Sequence, residues 1–315
     1  MPNPLRFIPT GGALGEVTCT TIQRRLLLTP KNRLREITIG ALARARHKCP
    51  LLQVIAFSFL SSHYHMLLWV PDAKAMAGFM CRFNSKMGKE INRMTGWSEK
   101  VWGRRYRAIL VSEEPLVQED RLEYVLANGT KEGLVERPQD WPGAHSAQAL
   151  LTGEPLVGVW YDRTKEYRAR KRKDLPKPED FAEEQILTLG PLPCWRDLPP
   201  EERRERVAAV IARIESKAQA EREKTEMQPL GPEAIRAQHP HTRPNRIKKS
   251  PAPLFHAWSK RAYRELYEAY GRFVAAFRSA AEKLKAGDRT AMFPEGSFPP
   301  ALPFVGSVPY LAAVG

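Results

Sequence analysis

Two histidines separated by a single residue, His63 and His65, have the spacing in this sequence that best suits metal chemistry. They open a predicted strand, and residues i and i+2 of a strand point to the same face of a sheet. The two imidazoles therefore project side by side and could share one divalent ion, with Tyr64 packed on the opposite side. The alternative is a pair of partly exposed strand histidines without a ligand. A second pair, His239 and His241, flanks a proline, which central strands exclude, so we place it in a surface loop without a metal role.

A tyrosine and an asparagine lie four residues apart in the segment LEYVLANG, at Tyr124 and Asn128. On a helix this spacing places both side chains on one face, about one turn apart. A phenolate could attack a phosphorus atom while the amide oxygen provides a ligand to a nearby metal ion, which would activate the phosphate. The alternative is an ordinary helix tyrosine with its ring in the core, followed by an asparagine near the helix end.

Cations and aromatic rings are interleaved in the segment WGRRYR, at Trp102, Arg104, Arg105, Tyr106 and Arg107. Single-stranded nucleic acid is bound by such a mixture, because cations contact the phosphates and flat rings contact unstacked bases. We therefore predict that these residues bind nucleic acid. The alternative is a solvated strand edge with a buried tryptophan.

The elements that must position these residues alternate between strands and helices. Apolar spacing, prolines and capping residues predict strands over 15–28, 51–60, 63–70 and 105–112, and helices over 33–49, 73–95 and 115–130. This order is the split βαβ pattern of a ferredoxin-like fold. We therefore predict an α+β fold with an antiparallel sheet and helices on one face, followed by a mostly helical C-terminal extension.

The composition changes along the chain and predicts four regions. Residues 1–150 form the predicted catalytic domain, and 151–200 form a basic and proline-rich linker. Residues 201–290 form a helical, basic region, and 291–315 form an irregular tail.

The charge of the chain indicates a polyanionic partner. Lysine and arginine total 50 against 35 acidic residues, a net charge of +15, which favours nucleic acid, with anionic lipid as the competing partner. The first 17 residues lack the apolar run of a signal peptide, and the uncharged stretch 49–71 is divided by Ser61 and Ser62, so we expect neither secretion nor a membrane span. Four cysteines without paired spacing favour reduced thiols in a cytoplasm.

Four motifs together resemble a known family in their order and spacing. They are AFSFLSSHYHMLLWVPDA, FNSKMGKEINRMTGW, VWGRRYRAILV and LEYVLANGTKEGLVERPQDWPGAHS, within residues 15–146. This part of the sequence resembles the single-tyrosine transposases of the HUH endonuclease superfamily, of the REP-associated and insertion-sequence type.

The resemblance implies a role for each candidate residue. His63 and His65 correspond to the metal-binding histidines, Tyr124 to the nucleophile that becomes linked to a DNA 5′ phosphate, and Asn128 to a polar residue that helps to hold the metal. Family members cleave and rejoin single-stranded DNA beside a hairpin, need Mg²⁺ or Mn²⁺, and often work as dimers.

For this chain the resemblance therefore implies DNA transposition and recombination in a bacterial cytoplasm, at the nucleoid, without an organic cofactor. The competing hypothesis is a domesticated, non-catalytic DNA- or RNA-binding protein that keeps the ferredoxin-like sheet.

Overall fold

The computed structural model describes residues 5–170, 177–244 and 253–300. Its strands and helices are, in chain order, β1 Ala13–Thr20, α1 Asn32–His47, β2 Gln53–Leu60, β3 His63–Val70, α2 Ala73–Thr95, β4 Arg107–Val111, α3 Pro115–Leu126, α4 Ala147–Thr152, β5 Leu156–Tyr161, α5 Arg163–Arg170, β6 Ala182–Leu187, α6 Pro200–Thr225, α7 Pro232–Ala237, β7 Phe255–His256 and α8 Lys260–Lys285.

The main sheet has the strand order β2-β3-β1-β4-β7. Strands β1 to β4 pair antiparallel, while the two-residue β7 runs parallel to β4. Because α1 connects β1 to β2 and α2 connects β3 to β4, this is the split βαβ arrangement. The predicted α+β class and the helical C-terminal region are both confirmed.

Helices cover both faces of this sheet. On one face, α1 and α2 pack against residues such as Val17 and Tyr64. On the other face, α3 and α6 pack against Leu14 and Leu67, which differs from the expected placement of all helices on one side. The reason lies in β2 and β3, where nearly every residue is buried, so each face presents apolar side chains that need a cover.

The first strand is shorter than the sequence predicts and ends at Thr20. The Thr21 hydroxyl donates hydrogen bonds to the carbonyls of Arg25 and Ser62, at 2.6 and 2.9 Å. Gln23 and Arg24 then adopt positive φ angles of 52° and 55°, which turn the chain away from the sheet.

The second helix begins and ends as its sequence predicts. The Asp72 carboxylate accepts the Ala75 N–H at 2.8 Å and caps the N-terminus. Gly96 ends the helix in the left-handed conformation with φ of 68°.

The range predicted as a linker contains a two-stranded sheet. Strands β5 and β6 pair antiparallel, and β5 lies against α1. Gly158 and Gly40 lie at this contact, where a Cβ atom on either residue would overlap the backbone of the other element. The basic segment 171–173 of that range lies outside the described residues.

The C-terminal half contributes the remaining helices. In α6 the buried residues are Val207, Val210, Ile211, Ile214 and Ala218, which include the apolar stripe visible in the sequence. No helix within the described residues is long and apolar enough to cross a membrane. The four cysteines are free thiols.

Candidate active site

Three aromatic side chains meet on the face of the sheet that α3 covers. The ring centroids of His63 and His65 are 5.3 Å apart, and those of His65 and Tyr124 are 5.4 Å apart. Tyr64 points to the opposite face, where its hydroxyl donates to Asn84 Oδ1 at 2.7 Å. Strand alternation thus places the two histidines together, and α3 brings the tyrosine to them.

Each histidine is held through the Nδ1 atom of its ring. His65 Nδ1 lies 3.1 Å from Thr18 Oγ1 and 3.2 Å from Glu16 Oε1, and His63 Nδ1 lies 3.1 Å from Ser62 Oγ. The Nε2 atom is therefore the nitrogen of each ring that is suited to an external ligand. A carboxylate behind a histidine is the usual arrangement around metal-binding imidazoles, because it fixes the tautomer and orientation of the ring.

The His63 ring is uncharged at neutral pH. Burial, together with the nearby charges of His65, Arg24 and Lys131, lowers the pKa of His63 to about 3. A neutral imidazole keeps the lone pair that ligation requires.

Glu16 is a site residue that the sequence prediction missed. Besides His65, its buried carboxylate contacts His256 Nε2 at 3.1 Å and Arg121 Nη1 at 3.6 Å. Burial raises the pKa of Glu16, but hydrogen bonds and charge interactions with His256 and His65 outweigh burial and hold the pKa well below its usual range. The sequence signal was a lone acid in an otherwise apolar and Thr-rich strand, where a buried charge needs partners.

Tyr124 is half-buried and flanked by two cations. The Arg121 guanidinium carbon lies 4.8 Å and Lys131 Nζ 3.7 Å from the centroid of its ring. Burial and the charge of Glu16 raise the pKa of the Tyr124 phenol, and the Arg121 charge opposes them. The hydroxyl is therefore protonated at neutral pH.

A cavity of about 490 Å³ adjoins Tyr124 between α3 and α6. Its walls carry both cations and acids, among them Lys131, Lys217, Glu123 and Glu221. The C-terminal half thus contributes a wall beside the tyrosine.

Asn128 lies directly after α3 and is 1% exposed. Its Nδ2 atom donates to the carbonyls of Tyr124 and Val125 at 3.0 and 3.2 Å, so the amide nitrogen caps the last turn of the helix. The amide oxygen is consequently the atom of Asn128 that suits a hard cation.

The donor set of this site is small. Among the residues that the structure describes, no group of three or more His, Cys, Asp or Glu side chains could hold a metal ion. The set predicted from the sequence contains two imidazoles and one amide oxygen, so a cation bound there would need phosphate or water oxygens to complete its shell. Imidazole ligands favour Mn²⁺ over Mg²⁺ in such a set.

The predicted nucleic-acid residues divide into two groups. Trp102 is partly buried and packs against Tyr64 with ring centroids 5.4 Å apart. Tyr106 is only 8% exposed, so its ring belongs to the interior. Arg104 and Arg105 are exposed, and Arg107 is partly exposed. The arginine side chains therefore reach the surface, whereas the Tyr106 ring packs in the interior.

The second histidine pair lies in a loop, as predicted. The His241 ring packs against Trp97 with centroids 5.2 Å apart, and its Nε2 lies 2.9 Å from the Thr95 carbonyl oxygen. These contacts give the pair a packing role.

Comparison with known proteins finds transposase structures. No family model and no curated protein matches the chain. One similar solved structure is a REP-associated tyrosine transposase bound to a REP hairpin, with 19% identity, a TM-score of 0.39, and coverage of 48% of this chain and 86% of that one. Another is a protein of Deinococcus radiodurans R1 described as a candidate transposase, with 14% identity, a TM-score of 0.28, and coverage of 39% of this chain and 95% of that one. The description of the first structure names the family that the four sequence motifs resemble, and that of the second names a transposase without naming the family.

Proposed function

We propose that the protein is a transposase, a metal-dependent endonuclease and strand transferase that cleaves single-stranded DNA near hairpins through a covalent 5′-phosphotyrosine. The observation that carries this proposal is the contact between the rings of Tyr124 and His65, with centroids 5.4 Å apart. A nucleophile and a pair of candidate metal ligands on one face are the groups that this reaction needs.

His63 and His65, with the amide oxygen of Asn128, would hold the divalent cation, Mg²⁺ or Mn²⁺. Such a cation supplies Lewis-acid activation of the scissile phosphate. Glu16 and Thr18 act behind this set, because they hold Nδ1 of His65 and so direct Nε2 toward the ligand.

Tyr124 is the nucleophile of the proposed reaction. Its Oη forms a bond to phosphorus while the bond from phosphorus to the 3′ oxygen breaks, and the phenol proton leaves as the 3′ oxygen gains one. Arg121 and Lys131 lie beside the ring and would stabilise the negative charge of the phenolate and of the phosphate. Since one phosphodiester replaces another, a free 3′ hydroxyl can reverse the attack, and strand transfer needs no ATP.

The test is a gel assay for a covalent protein–DNA adduct. Pooled single-stranded hairpin oligonucleotides are incubated with the protein and Mn²⁺ or Mg²⁺, beside the variants Tyr124→Phe and Tyr267→Phe. Tyr267 is an exposed tyrosine of α8 and serves as the matched control. We expect an adduct with the wild type and Tyr267→Phe only. An adduct that persists in Tyr124→Phe contradicts the proposed nucleophile.

The resemblance also implies a homodimer. Sedimentation of the protein with and without hairpin DNA would test this part of the proposal, and a monomer in both conditions would contradict it.

A further inference from the structure

The cavity between α3 and α6 adjoins the proposed nucleophile, and the reaction proposed above does not use it. Its volume of about 490 Å³ lies within the usual range for cavities that enclose a small ligand. Tyr124 forms part of its wall, and the same ring contacts His65, with centroids 5.4 Å apart. A nucleotide whose phosphate lies at Tyr124 therefore has this cavity next to it. We call it the α6 cavity.

Contacts between the two halves of the chain hold the α6 cavity open. Along the helices, Arg213 Nε of α6 donates to Glu123 Oε2 of α3 at 3.1 Å, and Lys217 pairs with the same carboxylate. Beyond the helices, the Leu230 N–H donates to the Gly133 carbonyl at 3.0 Å. These contacts fix the spacing of the two walls, so the α6 cavity is a built part of the fold.

Apolar side chains from both walls line the α6 cavity. Ile214 belongs to the same buried cluster as Val125, and one turn later Ala218 lines the cavity and is 8% exposed. Ala127, directly after α3, also lines it, and the two short alanine side chains leave the space between the walls open. Met227 lines the cavity and is 68% exposed. Apolar walls with a polarizable thioether suit a flat aromatic ligand.

The charges around the α6 cavity favour a base over a phosphate as its occupant. The lining contains four acids and four cations, which are Asp120, Glu123, Glu132 and Glu221, and Arg121, Lys131, Lys217 and Arg222. Because these charges balance, the cavity has no net charge that would attract a phosphate. Arg121 and Lys131 lie beside the Tyr124 ring and suit the phosphate there. The base is the uncharged part of the same nucleotide.

We propose that the α6 cavity binds the base of the nucleotide whose 5′ phosphate Tyr124 attacks. The proposal rests on the proposed function and deepens it, because it names a base-binding site beside the nucleophile. A base held in the cavity keeps the adjoining phosphate next to the Tyr124 hydroxyl. The proposal also gives α6, and with it the C-terminal half, a direct role in substrate binding.

The base contact is tested with Ala218→Leu, which fills the α6 cavity. The matched control is Ala220→Leu, at an exposed position of the same helix that does not line the cavity. The ligands are fluorescein-labelled dT20 and an abasic sugar–phosphate chain of the same length and charge, measured by fluorescence anisotropy. We expect Ala218→Leu to lower the preference for dT20 over the abasic chain by about tenfold, the order of magnitude that stacking one base contributes. The control should keep the preference of the wild type, and an unchanged preference in Ala218→Leu would overturn the proposal.

A second variant guards against a change in the packing of α6. Met227→Ser alters an exposed wall residue, and Met292→Ser removes a methionine after α8 that is 88% exposed. We expect Met227→Ser to lower the preference for dT20 and Met292→Ser to leave it unchanged. If Ala218→Leu lowers the melting temperature, Met227→Ser decides, and equal preferences in the two methionine variants would overturn the proposal.

The position of the base is tested by crosslinking. The Tyr124→Phe protein is irradiated with dT20 that contains 4-thiothymidine, and tryptic peptides are analysed by mass spectrometry. We expect crosslinks in the peptide 225–236, which contains Met227, and their loss in the double variant Tyr124→Phe/Ala218→Leu. Crosslinks found only in peptides that do not line the α6 cavity would overturn the proposal.

These measurements are separable from the test of the proposed function. Binding of dT20 does not need the phenol, so Tyr124→Phe should keep the preference for dT20. A wild type without any covalent adduct would refute the nuclease chemistry, while the preference for dT20 and the crosslinks would still decide the α6 cavity. Conversely, a covalent adduct together with an unchanged preference in Ala218→Leu would overturn the base contact alone.

Discussion

Replacing Glu16 by glutamine tests whether a buried carboxylate orients His65 for catalysis. The side chain keeps its size and an acceptor oxygen, but it loses the negative charge that faces His65 at 3.2 Å and His256 at 3.1 Å. Changes behind a metal-binding histidine typically reduce metal affinity or activity by about 10 to 100-fold. Because Thr18 also contacts His65 Nδ1, the ring keeps one partner, and we expect a loss of about tenfold.

The assay is the rate of adduct formation at several Mn²⁺ concentrations, with Glu36→Gln on the exposed surface of α1 as the matched control. We expect the defect of Glu16→Gln to shrink at high Mn²⁺, since the substitution acts on the ligand and not on the nucleophile. Binding of the single-stranded oligonucleotide dT20, measured by fluorescence anisotropy, should stay at the level of the wild type. A wild-type rate at limiting Mn²⁺ would refute the proposed role of Glu16.

Three further predictions concern the metal ligand and the packing of the domain. His63→Ala, or removal of divalent cations with EDTA, should abolish adduct formation while dT20 binding persists; an adduct in either case would contradict the metal assignment. Gly158→Ala should lower the free energy of unfolding, measured in urea, because its Cβ would overlap α1, whereas Gly271→Ala on an exposed helix should raise it by about 0.5–1 kcal/mol. Arg163→Met should lower that free energy by about 2 kcal/mol at pH 7, because the buried Glu90 loses its bidentate partner and keeps only Lys86. Arg163 helps to hold the pKa of Glu90 below its usual range against the effect of burial. The stabilisation that Arg163 provides is therefore present above about pH 4.3 and is lost as the pH falls. A difference in unfolding free energy between Arg163→Met and the wild type that does not change with pH would contradict this prediction.

The order of elements and the histidine pair were predictable because both depend on local periodicity. Apolar spacing and capping residues predict α2 correctly from Asp72 to Gly96. Strand alternation alone brings His63 and His65 to one face. The pair of candidate metal ligands, His63 and His65, is therefore predictable from the alternation of a single strand.

The remainder of the site depends on contacts between distant segments. The local pattern of α3 does not tell on which face of the sheet it lies. The approach of Tyr124 to His65 was therefore implied by the family resemblance alone and is seen in the fold. Glu16 and His256 are 240 positions apart in the sequence yet meet because β7 joins the sheet beside β4. The same holds for Arg6, whose guanidinium lies 5.6 Å from the ring centroid of Tyr106, 100 positions later in the sequence.

The interior position of Tyr106 shows a limit of arguments from composition. Aromatic residues between arginines are typical of single-strand binding, but a strand also buries every second residue. Tyr106 is buried in the cluster that contains Val17 and Tyr64, while its neighbour Arg105 is exposed.

The central claim is that Tyr124 becomes covalently bonded to DNA, and peptide mass spectrometry tests it most directly. After reaction with hairpin oligonucleotides and Mn²⁺, nuclease treatment and trypsin would leave a peptide spanning residues 122–131, in which Tyr124 is the only tyrosine. The account predicts that this peptide carries a nucleotide linked through phosphate to Tyr124. A nucleotide on any other peptide, with the 122–131 peptide unmodified, would contradict it.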